Sequence, residues 1–117
     1  MSKDKDLVSK YNEIEEEKKN QQYFIDKAEK MDKLFENNLF KELILEDYFV
    51  YEAARLVAGV ENDSIHDSIK AKMERQILAI GRFQDYIRVV KLKGQTAEDF
   101  LNNADEEISK INQELGE

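Results

Sequence analysis

The chain has 117 residues and a formal net charge of −8, with 38% charged and 41% hydrophobic residues. A domain of this length can fold alone. With so few apolar residues, however, we expect helices that each bury a single apolar stripe, and not a compact globule. The chain has no proline, cysteine or tryptophan, and glycine occurs 4 times. Without cysteine it can form neither disulfides nor thiolate metal sites, and few of its residues suit the tight turns of β-hairpins. The negative charge disfavours nucleic-acid binding.

The chain contains no sequence that resembles a signal peptide or a membrane span. Residues 1–4 are polar and lack the apolar core of a secretory signal, and an apolar run such as residues 48–51 is too short to cross a bilayer. We therefore expect no membrane insertion.

The first predicted element is a long N-terminal helix over residues 1–36. Its seam advances by alternate steps of four and three residues, a heptad pattern with polar lapses at Lys18, Gln21 and Asp32. The seam positions are Leu7, Tyr11, Ile14, Lys18, Gln21, Ile25, Ala28, Asp32 and Phe35. We predict that the first half of this helix is an arm.

Residues 37–60 are predicted to form the apolar core helices. Asn37 and Asn38 interrupt the heptad, because asparagine favours caps and turns over helix interiors. The following segment is the most apolar of the chain, so we interpret it as the core, with a kink at which Asp47 is an N-cap. Gly59, free to adopt positive φ, is predicted to end this helix.

Residues 64–93 are predicted to form a basic helix that opens with a capping box of Ser64 and Asp67. We expect the helix to end at Gly94, and we interpret Gly81 inside it as a mark of close helix approach. Its seam residues are Ile69, Met73, Gln76, Ile80, Phe83, Ile87 and Val90.

Residues 96–116 are predicted to form an acidic heptad helix, which opens with Thr96 and Asp99. Its seam has no lapse and consists of Ala97, Leu101, Ala104, Ile108, Ile111 and Leu115. Running antiparallel to the first helix, it would place Leu115 near Leu7, Ile111 near Tyr11, Ile108 near Ile14 and Ala97 near Ile25. The fold class is therefore predicted as all-α: one domain over residues 1–117, an elongated helical bundle with an antiparallel coiled-coil arm of N- and C-terminal helices. Pairing within one chain and pairing between chains both remain open.

Charge is divided between two neighbouring segments. Residues 70–93 hold seven bases and two acids, a net charge of +5, whereas residues 96–117 hold seven acids and one lysine, a net charge of −6. The basic helix could face phosphate or an acidic partner. We favour its pairing with the acidic helix of the same or a neighbouring chain, since the overall charge repels nucleic acid.

The sequence offers no catalytic, cofactor or metal site. His66 is the only histidine, so a triad or a histidine metal site has no second member, and we interpret it as a solvated residue at a helix start. Glu42, Glu46 and Glu52 lie beside the apolar segment without the Glu-x-x-His pairs of di-metal bundles. No phosphate loop, nucleophile elbow, kinase or zincin motif occurs. We therefore expect neither an enzyme nor a cofactor.

Three aromatic residues within four positions indicate a contact surface. Tyr48, Phe49 and Tyr51 cannot all face one side of a helix, so at least one ring must point away, toward another helix or toward a partner. Together with the two terminal seams, they give the candidate interface residues Leu7, Tyr11, Ile14, Tyr48, Tyr51, Leu101, Ile108, Ile111 and Leu115.

Five segments stand out in the central half of the chain: residues 34–41 (LFENNLFK), 45–49 (LEDYF), 52–57 (EAARLV), 77–80 (ILAI) and 83–88 (FQDYIR). In these segments the chain resembles small helical virion or assembly proteins of tailed bacteriophages. The resemblance implies a structural or assembly protein in the virion or the host cytoplasm. Its partners would be copies of itself or a larger capsid, portal or tail protein. The resemblance transfers no functional residue.

Two other functions are compatible with the sequence. A soluble helical chaperone, or an acidic regulator that inhibits a host protein, is suggested by the acidic C-terminal helix. Nucleic-acid binding through residues 70–93 is the third and least favoured, and it would require salt-sensitive retention on heparin or DNA.

Overall fold

The computed structural model describes residues 2–116, and every regular element in that range is a helix. Helix α1 spans Ser2–Glu36, α2 is the single turn Asn38–Phe40, a π-helix follows over Lys41–Glu52, α3 spans Ala53–Glu61 and α4 spans Asp67–Gly116. The predicted all-α class is confirmed.

The chain forms two compact units. The first, called the arm below, contains the residues up to Lys30 and those from Val90 onward; the second, the central unit, is Met31–Val89. Both α1 and α4 contribute to both units, so the helical segments do not correspond one to one with the units.

The arm is an antiparallel pair of helices, as the two seams predict. Ile14 from α1 packs with Ala104 and Ile111 from α4 in a buried cluster. Partly buried residues around this cluster are Leu7, Tyr11, Phe100 and Ile108. Pairing therefore occurs within the chain, and the predicted register continues to Ala28, which lies against Gly94.

The predicted break between a basic and an acidic helix does not occur. Helix α4 runs without interruption through Gly94 and Thr96 to Gly116, and no glycine among residues 2–116 has a positive φ. Gly94 is buried against α1, where a Cβ would overlap the Cβ of Ala28 and lie 3.3 Å from the carbonyl oxygen of Phe24. Its missing side chain lets two helices approach, which is a different use of glycine from ending a helix.

Gly81 and Gly59 also differ from their predictions. A Cβ on Gly81 would meet nothing within 4 Å, so Gly81 marks no close approach within the chain. Helix α3 continues past Gly59 to Glu61, and a Cβ on Gly59 would come within 2.6 Å of the Met73 sulfur. Gly59 therefore makes room for a side chain and does not turn the backbone.

The interruption after α1 is confirmed, but the predicted kink at Asp47 is not. The Asn37 side-chain oxygen accepts a hydrogen bond from the Phe40 N–H at 3.0 Å, which caps the next helical segment. From there the chain stays helical to Glu61, with the π-helix Lys41–Glu52 in place of a break. No proline or glycine lies between Asn38 and Ala58 to enforce one.

The start of α4 is capped by His66 and not by Ser64. The Nδ1 of His66 accepts from the Ser68 N–H at 3.1 Å, and its carbonyl oxygen accepts from the N–H groups of Ile69 and Lys70. The Ser64 N–H instead donates to the Asn62 side chain in the preceding turn. His66 is exposed at a helix start.

The central unit has a thin core. Its buried apolar residues are Leu56, Ile80 and Ile87, out of nine in the described chain. The segment interpreted from sequence as the core supplies only Leu56 to this set, since its other apolar side chains are half-buried or exposed. Hydrophobic content alone cannot say whether a covering helix exists, and here the chain covers little of this segment.

Candidate interaction surfaces

Most of the candidate interface residues at the chain ends are used inside the arm. Ile14 and Ile111 are buried, and Leu7, Tyr11 and Ile108 are partly buried against them. Leu101 is half-buried, while Leu115 keeps 39% of its surface exposed. The seams thus find their partner helix within the chain, which leaves little of this set for an external partner.

Within residues 2–116, one ion pair joins the two helices of the arm, at the polar seam position Lys18. Lys18 Nζ donates to Asp105 Oδ1 at 2.8 Å, with Glu15 3.9 Å away on the same helix. The hydrogen bond to Asp105 is the main cause that raises the pKa of the Lys18 ammonium, and the charges of Asp105 and Glu15 act in the same direction, against a smaller desolvation. The lysine at a seam position is therefore satisfied by a partner on the facing helix.

The aromatic residues of the π-helix divide between the inside and the outside of the central unit. The rings of Tyr48 and Phe49 both contact Phe83 on α4, with centroid distances of 6.4 Å and 5.3 Å. Tyr51 retains 65% of its surface exposed. The predicted outward ring is therefore Tyr51, and Tyr48 is half-buried in the contact with α4.

Most of the exposed large apolar side chains lie in the central unit. Ten of the 14 exposed large hydrophobic residues in the described chain belong to it. They are Leu34, Leu39, Leu43, Val50, Tyr51, Val57, Ile69, Leu78, Phe83 and Tyr86. Monomeric soluble proteins expose such residues singly but seldom in this density, and larger patches mark interaction sites. Only Tyr51 among the ten was singled out from sequence as an interface residue.

One of the exposed apolar residues that were not predicted as interface residues, Leu78, could have been recognised from its position in the sequence. On α4, the predicted inward seam contains Ile80 and Ile87, which are buried. Leu78 lies off this seam, and a leucine on the far side of an amphipathic helix is the kind of residue that indicates a second contact. In the π-helix no such inference is available, because its i→i+5 hydrogen bonds change the residue spacing of each face.

The favoured pairing of the basic and acidic segments is wrong within one chain. Residues 70–93 and 96–116 follow one another along the single helix α4, so they cannot lie side by side. In the central unit the ion pairs are local: Arg88 contacts Asp85, and Arg55 contacts Glu52. The hydrogen bond from Arg55 lowers the pKa of the Glu52 carboxyl. Within residues 2–116 no ion pair joins α4 to residues 38–61.

The geometry supplies no cluster suited to metal binding. Over the described part of the chain, no group of three or more histidine, cysteine, aspartate or glutamate side chains lies close enough to hold a metal ion. His66 interacts with Ser68, its neighbour in the first turn of α4. None of the helices in residues 2–116 combines the length and the apolar character needed to span a bilayer.

Comparison with protein-family models, with curated proteins and with solved structures returned no match for this chain.

Proposed function

We propose that this chain is a structural or assembly protein of a tailed-bacteriophage particle, which acts through helix-mediated protein contacts and not through catalysis. Its expected location is the virion or the host cytoplasm, and its partners are copies of itself or a larger capsid, portal or tail protein. The phage assignment is supported by the resemblance of the central sequence segments to such proteins.

The observation that supports a contact role is the imbalance between core and surface in the central unit. Three buried apolar residues stand against ten large exposed ones. Exposing this much apolar surface costs solubility and stability unless it is covered in the working state. Partner binding is the function that such a surface supports best.

Quantitative mass spectrometry of purified particles and of assembly intermediates tests the proposal. We expect the chain at many copies in mature particles if it is structural, or in intermediates alone if it is an assembly factor. Absence from both would overturn the proposal.

The alternative is a soluble helical chaperone or an acidic regulator of a host protein. It is favoured by the exposed acids Glu98, Asp99, Glu106, Glu107 and Glu114 along the last part of α4. Such a regulator would copurify with a basic host protein, would lose that partner at high salt, and would be absent from particles and intermediates.

A further inference from the structure

The outward face of α4 in the central unit alternates apolar and basic side chains. Arg75, Leu78, Arg82 and Tyr86 follow one another at steps of three, four and four residues, which places them on one face of an α-helix. All four are exposed, with 60% of the surface of Leu78 and 52% of that of Tyr86 accessible. Arginine and tyrosine are enriched at the centres of protein interfaces.

The segment of the central unit that faces α4, residues 38–61, has the opposite charge. Residues 70–88 hold five bases and two acids, a net charge of +3, whereas residues 38–61 hold five acids and two bases, a net charge of −3. In the latter, the exposed apolar residues Leu43 and Val50 are interspersed with the exposed acids Glu42, Glu46 and Asp47. Each segment thus combines exposed apolar residues with one sign of charge.

These charges are not matched to one another within the chain. Among residues 2–116, neither Arg75 nor Arg82 forms an ion pair, and the same holds for Glu42 and Glu46. A single molecule therefore presents an acidic apolar surface and a basic apolar surface that are complementary but separately exposed.

We infer that the central unit binds a second copy of this chain in a two-fold symmetric dimer. Residues 38–61 of each copy cover the outward face of α4 of the other. Two-fold symmetry makes every contact occur twice, so one acidic and one basic apolar surface on each copy satisfy the whole interface. A different partner that covered both surfaces would have to match both signs, whereas a second copy of the chain already does. This inference rests on the proposed contact role and names the chain itself as the partner.

Light scattering with size-exclusion chromatography of the full chain tests the dimer. We expect the wild-type protein to have twice the 13.8 kDa mass of one chain. The variant with Glu42→Lys and Glu46→Lys, and the variant with Arg75→Glu and Arg82→Glu, should each be monomeric, because each brings like charges together at both contacts. An equimolar mixture of the two should recover the dimer mass, since both contacts are then complementary.

A matched control variant separates the effect of lost interface contacts from the effect of the changed net charge. The variant with Lys10→Glu and Lys19→Glu carries the same net charge as the double arginine variant, but its changes lie on exposed positions of the arm. It should remain a dimer. Circular dichroism of every variant should match the wild type, because none of the replaced side chains is buried.

The apolar contribution to the dimer interface is tested separately by Leu78→Gln, which should raise the dimer dissociation constant at least about tenfold. Val8→Gln, at a residue with 47% exposure in the arm, should leave it unchanged. A monomeric wild type, or a mixture that stays monomeric, would overturn the dimer. A dimer absent from particles and intermediates would overturn only the proposed phage role, and a monomer found in them would overturn only the dimer.

Discussion

Gly81 and Gly94 lie in the interior of α4 in opposite surroundings, and the space beside each α-carbon decides what the glycine contributes. At Gly94 a Cβ would overlap Ala28 on the facing helix, and Ala28 has no flexible side chain that could move aside. At Gly81 a Cβ would meet nothing within 4 Å. The same residue type thus permits helix contact at one position, while at the other it only lowers helix propensity.

Replacing each glycine by alanine should therefore change stability in opposite directions. Gly94→Ala should lower the free energy of unfolding by about 1 to 3 kcal/mol, because the arm helices must separate to admit the methyl group. Gly81→Ala should raise it by about 1 kcal/mol, the usual gain over glycine in a helix interior. Urea unfolding followed by circular dichroism measures both. Stabilisation by Gly94→Ala would show that the arm relaxes without loss.

At the scale of elements, the antiparallel arm follows from its heptads. Ala97 to Leu115 keep an unbroken four-three spacing, which fixes the buried face of α4, and Ile14 and Ala104 lie where that register places them. The predicted helix end at Gly94 is wrong because glycine suits both a helix end and a close helix approach, and only the contact with Ala28 distinguishes the two. Nor could it identify the π-helix, since no residue type encodes a change of helical hydrogen bonding.

The ion pair between Lys18 and Asp105 joins the two arm helices and gives the arm a pH-dependent contribution. Because Asp105 raises the pKa of Lys18 in the folded state, this contribution is fully present at neutral pH, below the pKa of an unfolded lysine. It is lost as the pH rises through the raised pKa of folded Lys18.

A double-mutant cycle of Lys18→Gln and Asp105→Asn should therefore show a favourable coupling at neutral pH that disappears at strongly alkaline pH. Added salt should weaken it as well, because the pair is largely solvated. Lys19, the exposed neighbour without an ion pair in the described chain, supplies the control: Lys19→Gln with Asp105→Asn should show no coupling. A coupling independent of pH would mean that packing, and not charge, connects the two positions.

For the molecule as a whole, apolar burial is unevenly divided between the two units. The arm holds six of the nine buried apolar residues, and the central unit holds ten of the 14 exposed large ones. From the sequence, the core is predicted in residues 37–60, because they are the richest in apolar side chains. This prediction is wrong because Leu39, Leu43 and Val50 are exposed, and no helix within residues 2–116 covers them.

Hydrogen exchange should reveal this division along one continuous helix. In α4, amides around Ala104, where the arm is packed, should exchange more slowly than amides around Leu78, although both lie in helix interiors. Local opening costs less where fewer apolar contacts are broken, so protection follows the burial of each unit and not helix continuity. Mass spectrometry of peptides from both regions, at protein concentrations low enough to keep the chain monomeric, measures the contrast.

Raising the concentration should then slow exchange around Leu78 and leave the Ala104 region unchanged, because a second copy covers only the central unit. Equal protection at low concentration would instead show that α4 opens as a single cooperative element. The exposed apolar surface would then not lower the local stability of α4 around Leu78.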